Sequence, residues 1–391
     1  MSKKALNSVE LFSGAGGLAL GMANSGFHHE LLVEFNQCAV ATLKQNHDGG
    51  QAQIKEWSIK HDDVRNVSFE SFQDKVSVVA GGPPCQPFSL GGKHHAFDDD
   101  RDMFPQAVRA VRECRPEAFL FENVKGLLRN SFSAYFDYII LQLTYPNVVK
   151  EDQEEWQQHC RRLEGIQAQG EYCGLQYKVV FQLMNAADYG VPQKRERVFI
   201  VGFREDMKVR WAFPQPTHSQ EALLWQQWVT GEYWARHKVL ENDRPVANKN
   251  IAYKLRKKYG AVNPKVLPWV TVRDAIADLP YPTSESNVSN HVFKGGAKSY
   301  PGHTGSPIDE PSKTLKAGSH GVPGGENMIR YNDDSIRYFT VREAARIQTF
   351  PDDYAISGAW GECMRQIGNA VPVKLAEVVA QAIYRAIAAQ S

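Results

Sequence analysis

The sequence predicts an α/β protein built on a doubly wound parallel sheet. Three stretches predict it, because each joins an apolar run typical of a buried strand to a chemically useful residue directly after it. The run up to Leu11 is followed by a glycine-rich turn, the run at 31–35 contains Glu34, and the run at 76–80 leads to Cys85. Open α/β sheets bind ligands at the carboxyl ends of their strands, so we expect a nucleoside-like cofactor across these three ends.

Cys85 is the leading candidate for a reactive residue. The Val-rich strand before it ends at Gly-Gly-Pro-Pro (81–84), a very strong turn signal. A thiol held on a stiff loop at a strand end can act as a nucleophile. The alternative is a buried structural cysteine, which is where free thiols usually lie. A core thiol needs no such loop, so the sequence favours the nucleophile.

The first two strand ends carry candidate cofactor contacts. Glycines let the backbone approach a ligand closely, and the helix after them presents free N–H groups. Ala19 stands where a dinucleotide fingerprint has its third glycine, which argues against a nicotinamide dehydrogenase. Glu34 follows about twenty residues later, where Rossmann-like folds bind ribose hydroxyls; the alternative is a surface charge. Phe35 is suited to stack on a base, and Asp63 with Val64 is a further candidate.

An acid and two arginines are candidates for chemistry beside the thiol. Glu122 follows Phe-Leu-Phe in a strand predicted at 118–124, and burial there should raise the pKa of its carboxyl. The alternative is an acid paired with an arginine. Gln193, Arg195 and Arg197 alternate ahead of another strand, so an extended chain would place them on one face. We expect them to line a pocket for an electron-rich group.

Composition narrows the class of protein. The 391 residues carry 45 Lys and Arg against 44 Asp and Glu, but the window 236–273 holds ten basic residues and two acids. This window favours a phosphate-contact surface over the alternative of a solvated charged face. The amino-terminal residues do not indicate a signal peptide, and no apolar run approaches the ~20 residues of a membrane span. Six scattered cysteines without a Cys-x-x-Cys pair predict reduced thiols in a cytoplasm and no metal site.

Two domains are predicted. Residues 1–205 hold the motifs described above, 206–336 form a smaller irregular domain rich in aromatics and Gly/Pro loops, and 337–391 return to the first domain. The returning segment begins with a helix, which Thr340 and Glu343 open as a capping box. It continues through a turn at 366–372 into an apolar helix that should pack on the sheet, with Pro372 in its first turn. The polar stretch 146–174 is predicted to be an exposed helical excursion without an assigned role.

These stretches together resemble the DNA (cytosine-5)-methyltransferase family, in the family's order and over most of the chain. The matching motifs are the cofactor motif (12–16), the nucleophile loop (82–89), the glutamate motif (122–124), the Gln-x-Arg-x-Arg signature (193–197) and two carboxyl-terminal motifs (342–348 and 366–369). The resemblance implies a Rossmann-like S-adenosylmethionine-dependent methyltransferase fold, with 206–336 as the target-recognition domain. One departure is Met103-Phe104, which follows Arg101-Asp102, where the family usually has Leu-Phe after an Arg-Gly pair.

The resemblance also implies a role for each matching residue. The catalytic residues would be Cys85, Glu122, Arg195 and Arg197. The residues binding S-adenosyl-L-methionine, and its product S-adenosyl-L-homocysteine, would be Phe12, Gly14, Gly16, Glu34, Phe35, Asp63, Val64, Pro83 and Asn369. Contacts to the substrate would come from Gln86, Ser89 and Gln193. The family requires no metal.

The chemistry explains these residue types. Carbon 5 of cytosine is a poor nucleophile until a thiolate, here Cys85, adds to carbon 6. Glu122, protonated, would donate to ring nitrogen 3, and Arg195 with Arg197 would bind the carbonyl oxygen and hold Glu122 in place. The target base must first leave the duplex, at a cost of a few kcal/mol.

The motifs that are present and absent also bear on alternative functions and on partners. RNA methylation, as in the tRNA-modifying branch, is disfavoured because that branch's Cys-Phe-Thr signature is absent. An inactive DNA-binding relative is disfavoured because Cys85 and Glu122 are intact. The resemblance implies a bacterial, nucleoid-associated monomer that acts on double-stranded DNA in a restriction-modification system. The recognition sequence and a cognate endonuclease, which would act separately, are left open.

Overall fold

A seven-stranded sheet organises the first half of the chain. The computed structural model describes residues 6–51, 53–84, 102–246, 249–317 and 327–390. The sheet strands are β1 (Leu6–Leu11), β2 (Phe27–Glu34), β3 (Ile59–His61), β4 (Val78–Gly81), β5 (Ala118–Val124), β6 (Tyr177–Asn185) and β7 (Glu196–Arg204). Their spatial order is β3-β2-β1-β4-β5-β7-β6. β1 to β5 are parallel, and β7 runs antiparallel to both of its neighbours.

This strand order confirms the doubly wound prediction. The chain moves outward from β1 through β2 to β3, then returns to the other side of β1 with β4 and β5. The order therefore reverses between β1 and β4, which is where such sheets open a ligand crevice at their carboxyl ends. β4 is fully buried, and only the last residue of β5 is exposed, as expected for strands covered on both faces.

Helices cover the sheet on both faces. The helices of the described residues, including those outside this sheet, are α1 (Gly17–Asn24), α2 (Gln37–Asp48), α3 (Phe104–Cys114), α4 (Ser133–Thr144), α5 (Trp156–Gln169), α6 (Gln220–Trp225), α7 (Glu232–Arg236), α8 (Lys249–Tyr259), α9 (Val272–Ile276), α10 (Val341–Ile347), α11 (Trp360–Asn369) and α12 (Val373–Ala388). Successive strand residues face opposite sides. Val79 and Phe119 accordingly pack with α3 and α4, while Val78 and Leu120 pack with α1 and α12.

The carboxyl-terminal helix packs back on the sheet, as predicted. Its buried residues are Val373, Leu375, Ala376, Val379, Ala380, Ile383 and Ile387. α12 lies very close to α1, because a Cβ added at Gly21 would stand 2.5 Å from the Cβ of Ala376. Pro372 precedes the helix as its N-cap residue rather than lying in its first turn. The turn predicted at 366–372 is wrong for its first four residues, since α11 continues to Asn369.

The region between β7 and α10 contains only short strands in its described parts. β8 (His218–Ser219) pairs with β9 (Leu267–Pro268), and β10 (Ser306–Pro307), β11 (Met328–Arg330) and β12 (Ile336–Tyr338) form a second small sheet. A separate cluster of buried residues, Leu223, Tyr233 and Trp234, lies inside it. The irregular character agrees with the sequence, while the boundaries at 205 and 336 stay a prediction.

The capping box and the exposed helical excursion that the sequence predicts are both present. α10 opens with the predicted capping box, in which Thr340 and Glu343 exchange hydrogen bonds. The excursion at 146–174 does contain a mostly exposed helix, α5, which His159 fastens to Tyr138 of α4 at 2.8 Å. In the described part of the chain no helix is long and apolar enough to cross a membrane.

Candidate active site

The glycine turn after β1 and the acid after β2 meet at the crevice. Phe12, Gly14 and Gly16 all have positive φ, which turns the chain sharply between β1 and α1. The N–H of Gly14 donates to Glu34 Oε2 at 2.7 Å, and the N–H of Asn36 donates to Oε1 at 2.6 Å. A Cβ added at Gly14 would meet nothing within 4 Å, so the turn leaves open space beside Glu34.

The other predicted cofactor residues lie around this turn with different exposures. Phe35 follows Glu34 and is 71% exposed, as a ring available for stacking would be. Val64 is buried, and the Asp63 carboxylate caps its own turn while pairing with Arg65 at 2.6 Å. The hydrogen bond from Arg65 lowers the pKa of Asp63. Asn369 is exposed at the end of α11.

These residues fit S-adenosylmethionine. An acid at the end of β2 suits ribose hydroxyls, an exposed ring suits adenine, and the open space at Gly14 lets a ligand reach the backbone. Gly16 has a packing role instead, since a Cβ there would stand 2.9 Å from Leu43 Cδ2. Among the described residues, no group of three His, Cys, Asp or Glu side chains is placed to hold a metal.

The base of the predicted nucleophile loop is held at both ends. Asn123 Nδ2 donates to the carbonyl of buried Pro83 at 2.9 Å, and the N–H of Met103 donates to the carbonyl of Pro84 at 3.1 Å. Asp102 accepts from the N–H of Phe104 at 3.2 Å and from the hydroxyl of Tyr135. The family's usual glycine could not make these side-chain bonds. Cys85, Gln86 and Ser89 lie outside the described residues.

Glu122 and Arg197 form an ion pair beside this loop base. Val124 is opposite Arg197 in the antiparallel β5–β7 ladder, so Glu122 and Arg197 are diagonal neighbours on one face. Arg197 Nε lies 2.8 Å from Glu122 Oε1, and both side chains are nearly buried. This contact is an ion pair and not a well-aligned hydrogen bond. A Cβ added at Gly82 would stand 3.5 Å from Glu122 Oε2, which places the carboxyl next to the loop.

The environment of Glu122 raises its pKa. Burial is the larger effect and favours the protonated carboxyl, while the charges of Arg197 and Arg195 act in the opposite direction. The predicted rise in pKa and the alternative of an arginine partner are therefore both present. A carboxyl in this state is suited to donate a proton and then to bear a negative charge beside a cation.

Arg195 is placed differently from Arg197. It is fully buried and its Nη atoms donate to three backbone carbonyls, those of Leu315 (3.1 Å), Gly368 (2.7 Å) and Ala370 (3.0 Å). Its Nε has no hydrogen-bond partner among the described residues. Burial lowers the pKa of this guanidinium, with a further contribution from Arg197. The observed contacts make Arg195 a residue that joins chain segments behind the site.

Gln193 also joins segments. It is fully buried, its Oε1 accepts the N–H of Leu315 at 3.0 Å, and its Nε2 donates to Gln348 at 3.0 Å. A contact between Gln193 and DNA would require these bonds to open. The three alternating residues therefore do not share one environment. Gln193 and Arg195 bind both Leu315 and the returning carboxyl-terminal segment, whereas Arg197 binds Glu122.

Sequence reasoning missed two residues near the site. Asn123 belongs to the glutamate motif, but no role was predicted for it; its amide donates to the Pro83 carbonyl and holds the base of the loop. Glu10 is a fully buried acid in β1, and burial raises its pKa well above the usual range. An acid inside an otherwise apolar strand was a readable signal for Glu10, because a buried charge always needs an explanation.

Comparison with known proteins identifies the family. The C-5 cytosine-specific DNA methylase family matches residues 6–145 and 148–385. The chain belongs to this family. It is 34% identical over 379 residues to the Type II methyltransferase M.PspPI of Psychrobacter sp. (strain TA137), covering 96% of this chain and 78% of that protein. It is 30% identical to M.Eco47II of Escherichia coli, covering 98% of this chain and 80% of that protein.

Solved structures support the fold of this methylase. A prophage-encoded protein of E. coli superposes with a TM-score of 0.57 at 22% identity, covering 98% of this chain and 99% of that one. The Dnmt2 methyltransferase of S. pombe gives a TM-score of 0.53 at 19% identity, covering 97% and 98%. The fold is therefore the Rossmann-like fold of S-adenosylmethionine-dependent methyltransferases. The family match and the curated relatives make the chain a DNA (cytosine-5)-methyltransferase.

Proposed function

We propose that this methylase modifies carbon 5 of a flipped-out cytosine in double-stranded DNA through a covalent adduct with Cys85. The observation that carries the proposal is the Glu122–Arg197 pair, a buried carboxyl of raised pKa beside the loop that bears the cysteine. S-Adenosyl-L-methionine, when bound, supplies an electrophilic methyl group and leaves as S-adenosyl-L-homocysteine. The residues that would hold it are Phe12, Gly14, Gly16, Glu34, Phe35, Asp63, Val64, Pro83 and Asn369.

The residues of the chain act in a defined order. The thiolate of Cys85 adds to carbon 6 of the cytosine, and the electron pair of the ring double bond makes carbon 5 nucleophilic. Glu122 donates its proton to nitrogen 3, which prevents negative charge from building up on the ring. After carbon 5 is methylated, a water molecule takes up its proton, the Cys85 thiolate leaves carbon 6 as the ring double bond forms again, and nitrogen 3 returns its proton to Glu122.

Part of the Arg197 guanidinium can bind the substrate. Its Nε contacts Glu122 and its Nη1 donates to the carbonyl of Glu196 at 2.8 Å, while its Nη2 forms no hydrogen bond within the described part of the chain. Nη2 is therefore available to the carbonyl oxygen of cytosine, where it would stabilise charge that develops during the addition. Arg195 serves this site through its charge and through the segments that it joins.

The biological role follows from the relatives. M.PspPI and M.Eco47II are named Type II methyltransferases, and we propose that this chain likewise protects specific DNA sites in a restriction-modification system. Residues 206–336 would select the site, with Gln86 and Ser89 contacting the DNA. The enzyme would act as a monomer on nucleoid DNA, and a cognate endonuclease, where present, would act separately.

Bisulfite sequencing tests this function. DNA from cells that express the protein should retain unconverted cytosines within one short repeated motif, and DNA from cells with the Cys85→Ala variant should not. Complete conversion in both samples, with folded protein in each, would contradict the proposal. The same protein should then be assayed on tRNA, where methyl incorporation would assign it to the RNA-modifying branch instead.

A further inference from the structure

Six of the ten basic residues in the window 236–273 fall into two groups in the structure. The first group is neutralised by acids of the same region. Arg236 pairs with Asp274 at 2.9 Å, and Arg273 pairs with Asp309 at 2.6 Å. Lys258 likewise pairs with Glu221 at 2.7 Å. These charges hold the irregular domain together and are not available to a partner.

The second group lies on the outer face of α8. Lys254, Arg256 and Lys257 are exposed, and none forms an ion pair among the described residues. Tyr253 lies on the same face and is 68% exposed, whereas Leu255 anchors the opposite face in the interior. Residues three and four positions apart are neighbours on a helix, so these four side chains form one continuous patch.

Two features indicate that the patch is shaped for an anionic partner. No Asp or Glu occurs from Arg244 to Arg273, and Glu221, which reaches α8 from outside this window, pairs with Lys258, so the like charges of Lys254 and Lys257 form no ion pair among the described residues. The helix dipole favours cations in the last turn. It accounts neither for the missing acids nor for a large aromatic ring left in solvent. A polyanion would relieve the repulsion, and the hydroxyl of Tyr253 can donate to a phosphate oxygen.

We propose that the outer face of α8, formed by Tyr253, Lys254, Arg256 and Lys257, binds the sugar–phosphate backbone of duplex DNA independently of its sequence. This inference rests on the proposed function, because it takes DNA as the substrate. Phosphate contacts fix the position of a protein on a duplex, while base contacts specify the sequence. α8 would therefore hold the enzyme on flanking DNA and add to affinity without adding to site selection.

The test compares two triple variants that remove the same charges. The first is Lys254→Gln, Arg256→Gln and Lys257→Gln. The control is Lys75→Gln, Arg161→Gln and Lys178→Gln, three exposed residues of the large domain. Lys75 and Lys178 lie near the amino-terminal ends of β4 and β6, away from the carboxyl ends where the crevice opens. Thermal unfolding checks that both variants are folded.

Binding is measured by fluorescence anisotropy on a duplex of arbitrary sequence. Each phosphate contact contributes about 0.9 to the slope of log affinity against log salt, so the α8 variant should lose about 2–3 from this slope. When salt is raised from about 50 to 200 mM, both proteins lose affinity for DNA. The fold-loss of the α8 variant should be about forty times smaller than that of the wild type. The control should keep the wild-type slope.

The outcomes separate this inference from the proposed function. An α8 variant whose slope equals that of the control would overturn the phosphate-binding surface, even if the wild type methylates DNA. A wild type that binds the duplex but never methylates cytosine would overturn the proposed function. A reduced slope in the α8 variant alone, with wild-type methylation intact, supports both.

Discussion

Replacing Arg195 by Gln should cost mainly stability, although the sequence places Arg195 and Arg197 in one motif. The Arg195 guanidinium supplies hydrogen bonds to three buried carbonyls, those of Leu315, Gly368 and Ala370. Leaving a buried acceptor unpaired costs about 1–3 kcal/mol. Removing a desolvated charge offsets part of this loss, so the net cost should be about 3–5 kcal/mol. Unfolding of a whole domain is opposed by only about 5–15 kcal/mol.

Replacing Arg197 by Gln should instead cost mainly catalysis. Glu122 would lose its cation, but it can take up a proton, which limits the loss of stability to about 1–2 kcal/mol. Methyl transfer should fall by about 10²–10³-fold, as expected when one stabilising donor is removed from a reacting oxygen.

Thermal unfolding and single-turnover methylation measured on the same preparations distinguish these two effects. Arg195→Gln should lower the melting temperature by about 6–10 °C. Below that temperature it should retain most of the activity per folded molecule. An Arg195→Gln protein with wild-type melting and no methyl transfer would refute the reasoning, because it would show that Arg195 acts on the substrate.

Three further predictions concern the fold and the cofactor site. Burial lowers the pKa of His29 from 6.5 to about 4. As the pH falls between these two values, His29 takes up a proton in the unfolded chain but not in the folded protein. The free energy of unfolding should drop by about 3 kcal/mol, and urea titrations should show this contribution missing in His29→Gln. Gly21→Ala would press against Ala376 and should lower the free energy of unfolding by about 1–3 kcal/mol. Gly165→Ala lies in open space on α5 and should raise the free energy of unfolding by about 0.5–1 kcal/mol, as measured by calorimetry. Phe35→Ala should change the free energy of unfolding by no more than about 0.5 kcal/mol. It should raise the KM for S-adenosylmethionine about tenfold, because the ring no longer stacks on the adenine. An unchanged KM would exclude Phe35 from the cofactor site.

The strongly patterned elements could be predicted from the sequence. The strand at 118–124 has the predicted bounds, because a continuous apolar run leaves few alternatives, and α10 begins at the predicted capping box. The end of α11 could not be predicted, since Gly368 looks like a turn residue. It serves packing instead: a Cβ there would stand 2.5 Å from the backbone nitrogen of Ala317.

The environments of the alternating motif could not be predicted for a different reason. Period-two alternation holds only where the backbone is extended, and β7 begins at Glu196. Gln193 and Arg195 precede it in irregular backbone, where Gln193 bridges to Ser312 and the carbonyl of Arg195 accepts the N–H of Ala186. Their partners come from positions more than a hundred residues later, and one sequence without an alignment does not pair such positions.

The position of Glu122 explains why two arginines of one motif need different partners. A carboxyl that must donate a proton near neutral pH needs a raised pKa, which burial provides, yet after donation it needs a cation to stabilise its charge. Arg197 supplies that cation by direct contact, and Arg195 adds a weaker field while its hydrogen bonds are used on backbone carbonyls. If both guanidinium groups contacted Glu122, their charges would favour the ionised carboxyl before the reaction began. Turning Arg195 toward the backbone therefore leaves burial as the larger influence on the pKa of Glu122, which favours the protonated carboxyl that the proposed mechanism uses.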